Sequence, residues 1–551
     1  MQPNLVNTSS IHYKNILLRK LSCAVISSVL SQFIILILYI FCLQLNIFSP
    51  LDAVYNVFNT FATFTTWLYI VPFSIIIFAQ SLICAKDYIV HTKYCSTRFQ
   101  KAKQMFSVHN LFLLVLHVIV GFVCVWLFSA FRSKDEDDTC NGKLNCMSQN
   151  SFYFYLLGAW TGCYYFLSIY TSEKKIMFPV AQQKKWLQFK ANFTQILKTS
   201  NNSAMYPIIY FVIFYFFLGK KMEMAFSSTL MISIEKTEGN MYIYMFTWVF
   251  GTMIFFYLNL MTFFYEMFLT EPLHFNIVPM NPEDFTLGDG ISANVPIVQH
   301  LACYDLFVVS GLRKERREVL FTLSQPGGHP HNWNNLIEKL LKILRDYTEL
   351  LNKSTSSILV PKNQHVNEHM LHNKTINFEK LRNMAQPSEF TVQNVTVENK
   401  MENFREYVHK KMDILKEKLG INFIFGELPE ASIQKCLGDG QVIMWITQSL
   451  SSLSVASLKE DKYGIVLKDL PVIISCLVEL KQSMEKLNRV PALNRKGPGM
   501  DDFNYRMKLG VTSAVRRSLY NICFHFGPYL KDLNLKKEIL VQLNGFVQPK
   551  C

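Results

Sequence analysis

Six long apolar runs crowd the first half of the chain, between Leu21 and Leu269. Apolar stretches of roughly 20 residues match the ~30 Å hydrocarbon core of a bilayer, where a backbone must satisfy its own hydrogen bonds. The runs therefore read as membrane-spanning helices: Leu21–Leu43, Phe61–Cys84 with Pro72 inside, Leu111–Phe131, Phe152–Tyr170, Ala204–Leu218 with Pro207 inside, and Met241–Leu269. The fifth is the shortest. The first is too long for a cleavable secretory signal and lacks a small-residue cleavage site, so it reads as a retained signal-anchor.

Loop charges orient the runs. The N-terminal tail, the second loop and the fourth loop together hold 14 Lys and Arg residues; the first, third and fifth loops hold six, with eight acids. The positive-inside rule then places both termini in the cytosol or nucleoplasm. Cys140 and Cys146 fall in the third loop, on the oxidising side, where a disulfide or two free thiols are both open. Sequons at Asn7, Asn192, Asn201, Asn352, Asn373 and Asn394 all fall on the inner side and are expected to carry no glycan. In the fourth loop, Trp186, Phe189, Phe193, Ile196 and Leu197 recur at helical spacing among Lys184, Lys185, Lys190 and Lys198. A short basic amphipathic helix in the headgroup layer fits this pattern, with Trp186, Phe189, Lys190, Phe193 and Leu197 at the membrane surface. A juxtamembrane helix packed on the protein's own domain fits it as well.

Beyond Leu269 the composition changes. Glu271–Val298 reads as irregular, and His300–Phe321 as one helix. Ser324 to Asn332 is dense in turn residues, and Asn332 is the expected N-cap of an amphipathic helix that begins with Trp333. Lys353–Lys400 is polar with weak periodicity and reads as a flexible linker. Helical period returns in Glu402–Leu419, Gln441–Leu458, Tyr463–Leu487, Val511–Phe526 and Tyr529–Leu543. The expected fold is all-α: a six-span helical membrane domain followed by a cytosolic or nucleoplasmic α-helical domain. Its parts are a tail (1–20), the membrane domain (21–269), a membrane-proximal helical region (270–352), the linker (353–400) and the C-terminal helical domain (401–551).

Little in the chain points to chemistry. No Cys-x2-Cys pair, phosphate-binding Gly loop or Gly-x-Ser-x-Gly elbow is present. His329 and His331 lack a convincing third metal ligand. His300-x4-Asp305 matches a short motif of membrane glycerolipid acyltransferases, but positions i and i+5 lie roughly 140° apart on a helix. The first five runs contain no Asp, Glu, Lys or Arg, which disfavours a transporter. Gly158-Ala-Trp-Thr-Gly162 offers a Gly-x-x-x-Gly face for close helix packing between Gly158 and Gly162. Neither half is basic enough to suggest nucleic acid, and no cofactor is expected.

One stretch is specific. Phe321-Thr-Leu-Ser-Gln-Pro-Gly-Gly-His-Pro-His-Asn-Trp333 closely resembles the signature of the nuclear-division-cycle (Ndc) transmembrane nucleoporin family. Tyr304-Asp305-Leu306 and Arg316-Arg317-Glu318-Val319-Leu320-Phe321 resemble the family's run into that signature. Leu428-Pro-Glu-Ala-Ser-Ile-Gln434 matches a second block, and Trp445 with Asp461-Lys-Tyr-Gly-Ile-Val466 resembles a third. The resemblance covers nearly the whole chain. It implies a structural protein of the pore membrane that anchors the nuclear pore complex and supports its assembly. Implied partners are the lipid bilayer and scaffold nucleoporins: the membrane-associated inner-ring nucleoporin with an RNA-recognition-like fold, and aladin, a WD-repeat protein. Under that reading Ser324, Gln325, Pro326, Gly327, Gly328, His329, Pro330, His331, Asn332 and Trp333 form a rigid joint between membrane and cytosolic helices, with partner contact or a pure fold constraint both open. The competing reading is a polytopic lipid-modifying enzyme using His300 and Asp305. The middle linker is shorter than the Ser/Pro-rich insertion of vertebrate members, so sites within that insertion do not carry over.

Overall fold

The computed structural model describes residues 4–44, 50–89, 94–131, 146–170, 183–235, 242–279, 284–359 (except 324 and 326), 431–489 and 502–547, with a few flanking positions. Helix dominates throughout. The membrane half contains α1 (Asn4–Gln44), α2 (Pro50–Ala62), α3 (Phe64–Ile89), α4 (Arg98–Met105), α5 (Val108–Ala130), α6 (Gln149–Tyr165), α7 (Lys185–Leu230) and α8 (Tyr242–Leu269). By length and composition, five helices among the described residues can cross a membrane: Lys14–Gln44, Phe64–Asp87, Val108–Ala130, Lys185–Thr229 and Tyr242–Leu269. The remaining expected span is α6, which runs on as a π-helical turn over Phe166–Tyr170.

α8 is the central post. Its buried residues, among them Phe250, Ile254, Phe255, Tyr257 and Tyr265, lie around much of its circumference, and it packs against α1, α6 and α7. Two strands of three residues, β1 (Cys146–Ser148) and β2 (Ser233–Glu235), pair in parallel and tie the third loop to the fifth.

Several elements depart from the sequence expectation. The first run does not start at a helix boundary, because α1 is already helical from Asn4. The second run does not start at Phe61, because the helix breaks at Thr63. The Thr63 and Thr66 hydroxyls both donate to the Thr60 carbonyl (2.6 Å each), and the Trp67 indole donates to Phe61 O (2.8 Å). These donors satisfy carbonyls that the break would strand in an apolar setting. The surface helix and the fifth span are one continuous 46-residue helix, α7. The polar stretch between them stays helical because its side chains have partners: Trp248 donates to Asn201, Asn259 donates to Ser200, and Tyr165 donates to Asn259. At 1.5 Å per residue, α7 is ~70 Å long and outreaches a ~30 Å hydrocarbon core.

The second half contains α9 (Leu287–Ile291), α10 (Pro296–Leu312), α11 (Lys314–Leu320), α12 (His331–Leu359), α13 (Ala431–Gly438), α14 (Gly440–Glu460), α15 (Ile465–Asn488), α16 (Asp502–Phe526) and α17 (Lys537–Val547). Within the stretch read as irregular, α9 forms with a Thr286/Asp289 capping box. The single helix expected over His300–Phe321 divides at Arg313, because the Arg317 guanidinium takes the Ser310 carbonyl (2.8 Å). The helix expected over Tyr529–Leu543 is instead a 3-10 turn at Gly527–Tyr529, a non-helical stretch and then α17. Pro528 sits in the first positions of that turn, where its missing N–H costs nothing. α12 extends into the expected linker as far as Leu359; residues 360–400 and the helix expected at Glu402–Leu419 lie outside the described residues. α14 is the core of this half. It packs on α16, α15 and the membrane-proximal α10, while α12 packs on α15.

Candidate functional site

The site is the seam where the membrane half meets the C-terminal helices. The chain leaves α8 at Glu271, whose carboxylate pairs with Lys185 at the start of α7 (2.9 Å) and whose carbonyl accepts from Lys20 on α1. It then runs under α10. Asp305 on α10, almost wholly buried, accepts both prongs of Arg316 at 2.8 Å and the Phe275 N–H at 3.0 Å. A fork-to-fork pair of this kind fixes direction as well as distance. It binds the exit segment to the α10–α11 corner.

The next arginine crosses the seam. Arg317 on α11 makes a second two-pronged pair with Glu460 at the end of α14, at 2.7 and 2.6 Å, with both side chains only 11% exposed. Those hydrogen bonds hold the Glu460 carboxyl below the usual carboxylate range and raise the Arg317 guanidinium above its own. Trp333, fully buried at the start of α12, donates its indole N–H to Asp469 on α15 (2.8 Å) and packs on Phe321 (6.1 Å between rings).

An aromatic plug completes the seam. Phe178, in the loop between α6 and α7, inserts among His300 and Tyr304 of α10 and Trp445 of α14, with ring centroids 5.7, 6.5 and 5.4 Å away. Its backbone is gripped by one side chain. Gln441 accepts from the Phe178 N–H (3.3 Å) and donates to the Phe178 carbonyl (3.1 Å). In the second loop, Tyr94 abuts Gly438 closely enough that a Cβ there would collide with its hydroxyl, and Phe99 packs on Phe425 (4.7 Å). Both basic loops are thus held by the C-terminal helices.

Of the signature residues, Ser324 and Pro326 lie outside the described residues. The rest form a turn. Gly327 has a φ of 77°, a left-handed conformation that suits glycine, and the Gly328 N–H donates to Gln325 O (2.8 Å). The His331 N–H donates to His329 O (2.9 Å), and the Asn334 N–H to Pro330 O (2.9 Å). Asn332 is not the N-cap. Helix α12 opens one residue earlier, at His331, and the Asn332 amide donates to Val319 O (3.3 Å), tying the turn back to α11. No cluster of three or more His, Cys, Asp and Glu is placed to hold a metal among the described residues.

The acyltransferase motif does not converge. His300 Nδ1 meets the Pro296 carbonyl (2.7 Å) and its ring stacks on Phe178, whereas Asp305 is engaged by Arg316. Elsewhere, Gly158 and Gly162 do lie at a close helix crossing. Their partners are Gly121 and the His117 carbonyl of α5, so near that a Cβ on any of the three glycines would collide with backbone. Gly121 was not singled out from sequence, since a lone glycine carries no spacing signal. In the first part of α7, Phe189 packs on Phe264 (6.0 Å) and Phe193 on Phe256 (5.7 Å) of α8, while Trp186, Lys190 and Leu197 stay exposed. Cys146 is disulfide-bonded, and Cys140 lies outside the described residues.

The chain matches the family model described as "Nucleoporin protein Ndc1-Nup" over residues 15–544. It belongs to that family of nucleoporins. Nucleoporin Ndc1 of Drosophila melanogaster is 26% identical over 586 aligned residues, covering 98% of this chain and 99% of that protein. Nucleoporin NDC1 of Homo sapiens is 22% identical over 665 aligned residues, covering 98% of each. Nucleoporin ndc-1 of Caenorhabditis elegans is 25% identical over 264 residues, covering 47% of this chain and 43% of that one. Ndc1-Nup proteins are structural components of the nuclear pore and not enzymes. With its long apolar helices, this chain is a nuclear pore membrane protein.

Proposed function

We propose that this protein anchors the nuclear pore complex in the nuclear envelope and supports pore assembly by recruiting scaffold nucleoporins. The apolar helices hold it in the pore membrane. The C-terminal helices present the docking surface, and both termini lie in the cytosol or nucleoplasm, the side favoured by the basic loops. The observation that carries this reading is the seam. The Phe178 plug holds the C-terminal helices against a loop of the membrane half, while the Arg317–Glu460 fork and the Trp333–Asp469 bond hold them to the membrane-proximal helices, which the Arg316–Asp305 fork and Phe275 tie to the segment leaving α8. A scaffold bound to the outer helices would then pull on the membrane through rigid contacts instead of through a tether. The partners this reading names are the inner-ring membrane-associated nucleoporin and an aladin-like WD-repeat nucleoporin. In this reading the signature stretch, Ser324 to Trp333, acts as the joint.

Proximity labelling from the C-terminus in cells tests it. Scaffold nucleoporins should dominate the labelled set. In a Gly327→Val/Gly328→Val variant, strained at the left-handed Gly327, scaffold labelling should fall while membrane insertion persists. Labelling dominated by lipid-synthesis enzymes would overturn the anchor reading. Unchanged scaffold labelling in the variant would overturn the joint.

A further inference from the structure

The loop between the first two spans carries a helix that, among the described residues, lacks a protein partner on its apolar side. On α2, at ~100° per residue, Leu51, Val54, Tyr55 and Phe58 share one face, and Asp52, Asn56 and Asn59 share another. The apolar four are 83%, 56%, 70% and 76% exposed. Among the described residues, only one edge of α2 is held. Val57 and Phe61 are partly packed against the core, and Gln44 at the end of α1 donates to Thr60 (3.1 Å).

Two observations say what covers the open face. First, it runs on into an exposed apolar surface of α3 (Phe64, Trp67 and Leu68), the start of a helix long and apolar enough to cross a membrane. The threonine-lined break at Thr63, with Trp67 donating to Phe61 O, joins the two faces at the depth where a membrane-crossing helix emerges. Second, α2 contains no Lys or Arg and a single acid, Asp52. Such a helix has nothing with which to attract an anionic surface, and its attachment must come from apolar insertion. Continuing α3 straight through the membrane as far as Pro50 would instead place Asp52, Asn56 and Asn59 in hydrocarbon, which is costly.

We propose that α2 is an in-plane membrane helix. It lies in the headgroup–acyl boundary on the first-loop side, opposite the C-terminal helices, with Leu51, Val54, Tyr55 and Phe58 inserted into that leaflet. Asp52, Asn56 and Asn59 face water. The protein then engages the two leaflets differently: basic loops on one side, and an uncharged apolar wedge on the other.

The test places a photo-crosslinking benzophenone amino acid at Tyr55, Asn56, Phe58 or Asn59 of the full chain, reconstituted in phosphatidylcholine vesicles. All four positions are exposed and accept the probe without repacking. Lipid adducts, counted by mass spectrometry, should be at least ~5-fold more abundant at positions 55 and 58 than at 56 and 59, following the two faces of an interfacial helix. Adding phosphatidylserine should leave that ratio unchanged. Equal adducts at all four positions would overturn the proposal, as would a requirement for phosphatidylserine. Crosslinks from 55 and 58 to a second copy of the chain would overturn it in favour of a self-association face.

Discussion

The Arg317–Glu460 pair offers the sharpest test of the seam. Each partner is removed in turn, as Arg317→Met and Glu460→Gln, and then both together. Removing one partner of a buried, hydrogen-bonded pair costs about 3–5 kcal/mol, because the other charge is left without compensation. Both side chains here keep 11% exposure, which places the pair at the lower end, about 3 kcal/mol for Arg317→Met. That variant also loses the bond from Arg317 to the Ser310 carbonyl. Glu460→Gln retains an oxygen that accepts one of the two prongs, so about 2 kcal/mol is expected. With both changed, no lone charge remains. The double variant should be less destabilised than the sum by at least ~1.5 kcal/mol.

Hydrogen exchange by mass spectrometry, on full-length protein in lipid nanodiscs, reads the effect locally. A loss of ~3 kcal/mol speeds exchange about a hundred-fold in the last turns of α14 if the seam opens there. Additivity of the two single variants within ~0.5 kcal/mol would refute the coupling. The pair also makes a pH signature. Glu460 titrates below its ordinary range when folded, so its stabilisation is present above the unfolded carboxyl pKa and fades as pH falls through the folded one. Seam protection should therefore decline on acidification below about pH 4–5 in the native chain, and Glu460→Gln should flatten that decline.

Three further outcomes follow from the geometry. Trp333→Phe removes the donor to Asp469 and should cost about 1–3 kcal/mol; a thiol-reactive dye reporting on Cys436, Cys476 and Cys523, all buried, should detect unfolding at lower temperature. Gly158→Leu drives a side chain into the Gly121 carbonyl and should destabilise the membrane half by about 1–3 kcal/mol or more, read as a lower melting temperature in detergent, whereas Gly545→Ala, with open space around it, should not. We propose Cys140 as the partner of Cys146; non-reducing peptide mapping should recover the 140–146 crosslink, and a different partner would refute the pairing.

What could be read from the sequence was what is local in the chain. Apolar runs announce membrane helices because lipid sets their length, whatever their neighbours. The turn at Gly327 was legible because only certain residues take that conformation. The seam was not legible, because its bonds join distant positions: Trp333 to Asp469, Arg317 to Glu460, Phe178 to Gln441. Arg316 and Arg317 stood out as part of the run into the signature, yet each has a carboxylate partner. Asp305 looked like half of a catalytic motif until Arg316 was found on it. The continuity of α7 was missed for another reason. Its polar stretch around Ser200 and Asn201 resembles a loop by composition, and only the partners on α8 keep it helical.

The same partners bear on the proposal that the membrane half serves as an anchor. Its interior is not purely apolar. Ser28 and Ser81 link α1 to α3; the Tyr265 hydroxyl donates to the Ser81 carbonyl, linking α3 to α8; Gln32 donates to Cys124, linking α1 to α5; and Asn259 links α8 to both α6 and α7. Bonds of this kind between membrane helices average only ~0.6 kcal/mol each, so none of them makes a fold alone. Their distribution matters more. Each of these helices is bonded to at least one other by groups that carry no formal charge, and the closest crossing, between α5 and α6, is made by glycines. A conduit concentrates polar groups along one path and leaves them free to meet a solute. The groups just named are paired between helices, which would oppose sliding or separation under the proposed load, although the Gln80 amide and the Tyr257 hydroxyl are buried without a hydrogen-bond partner among the described residues.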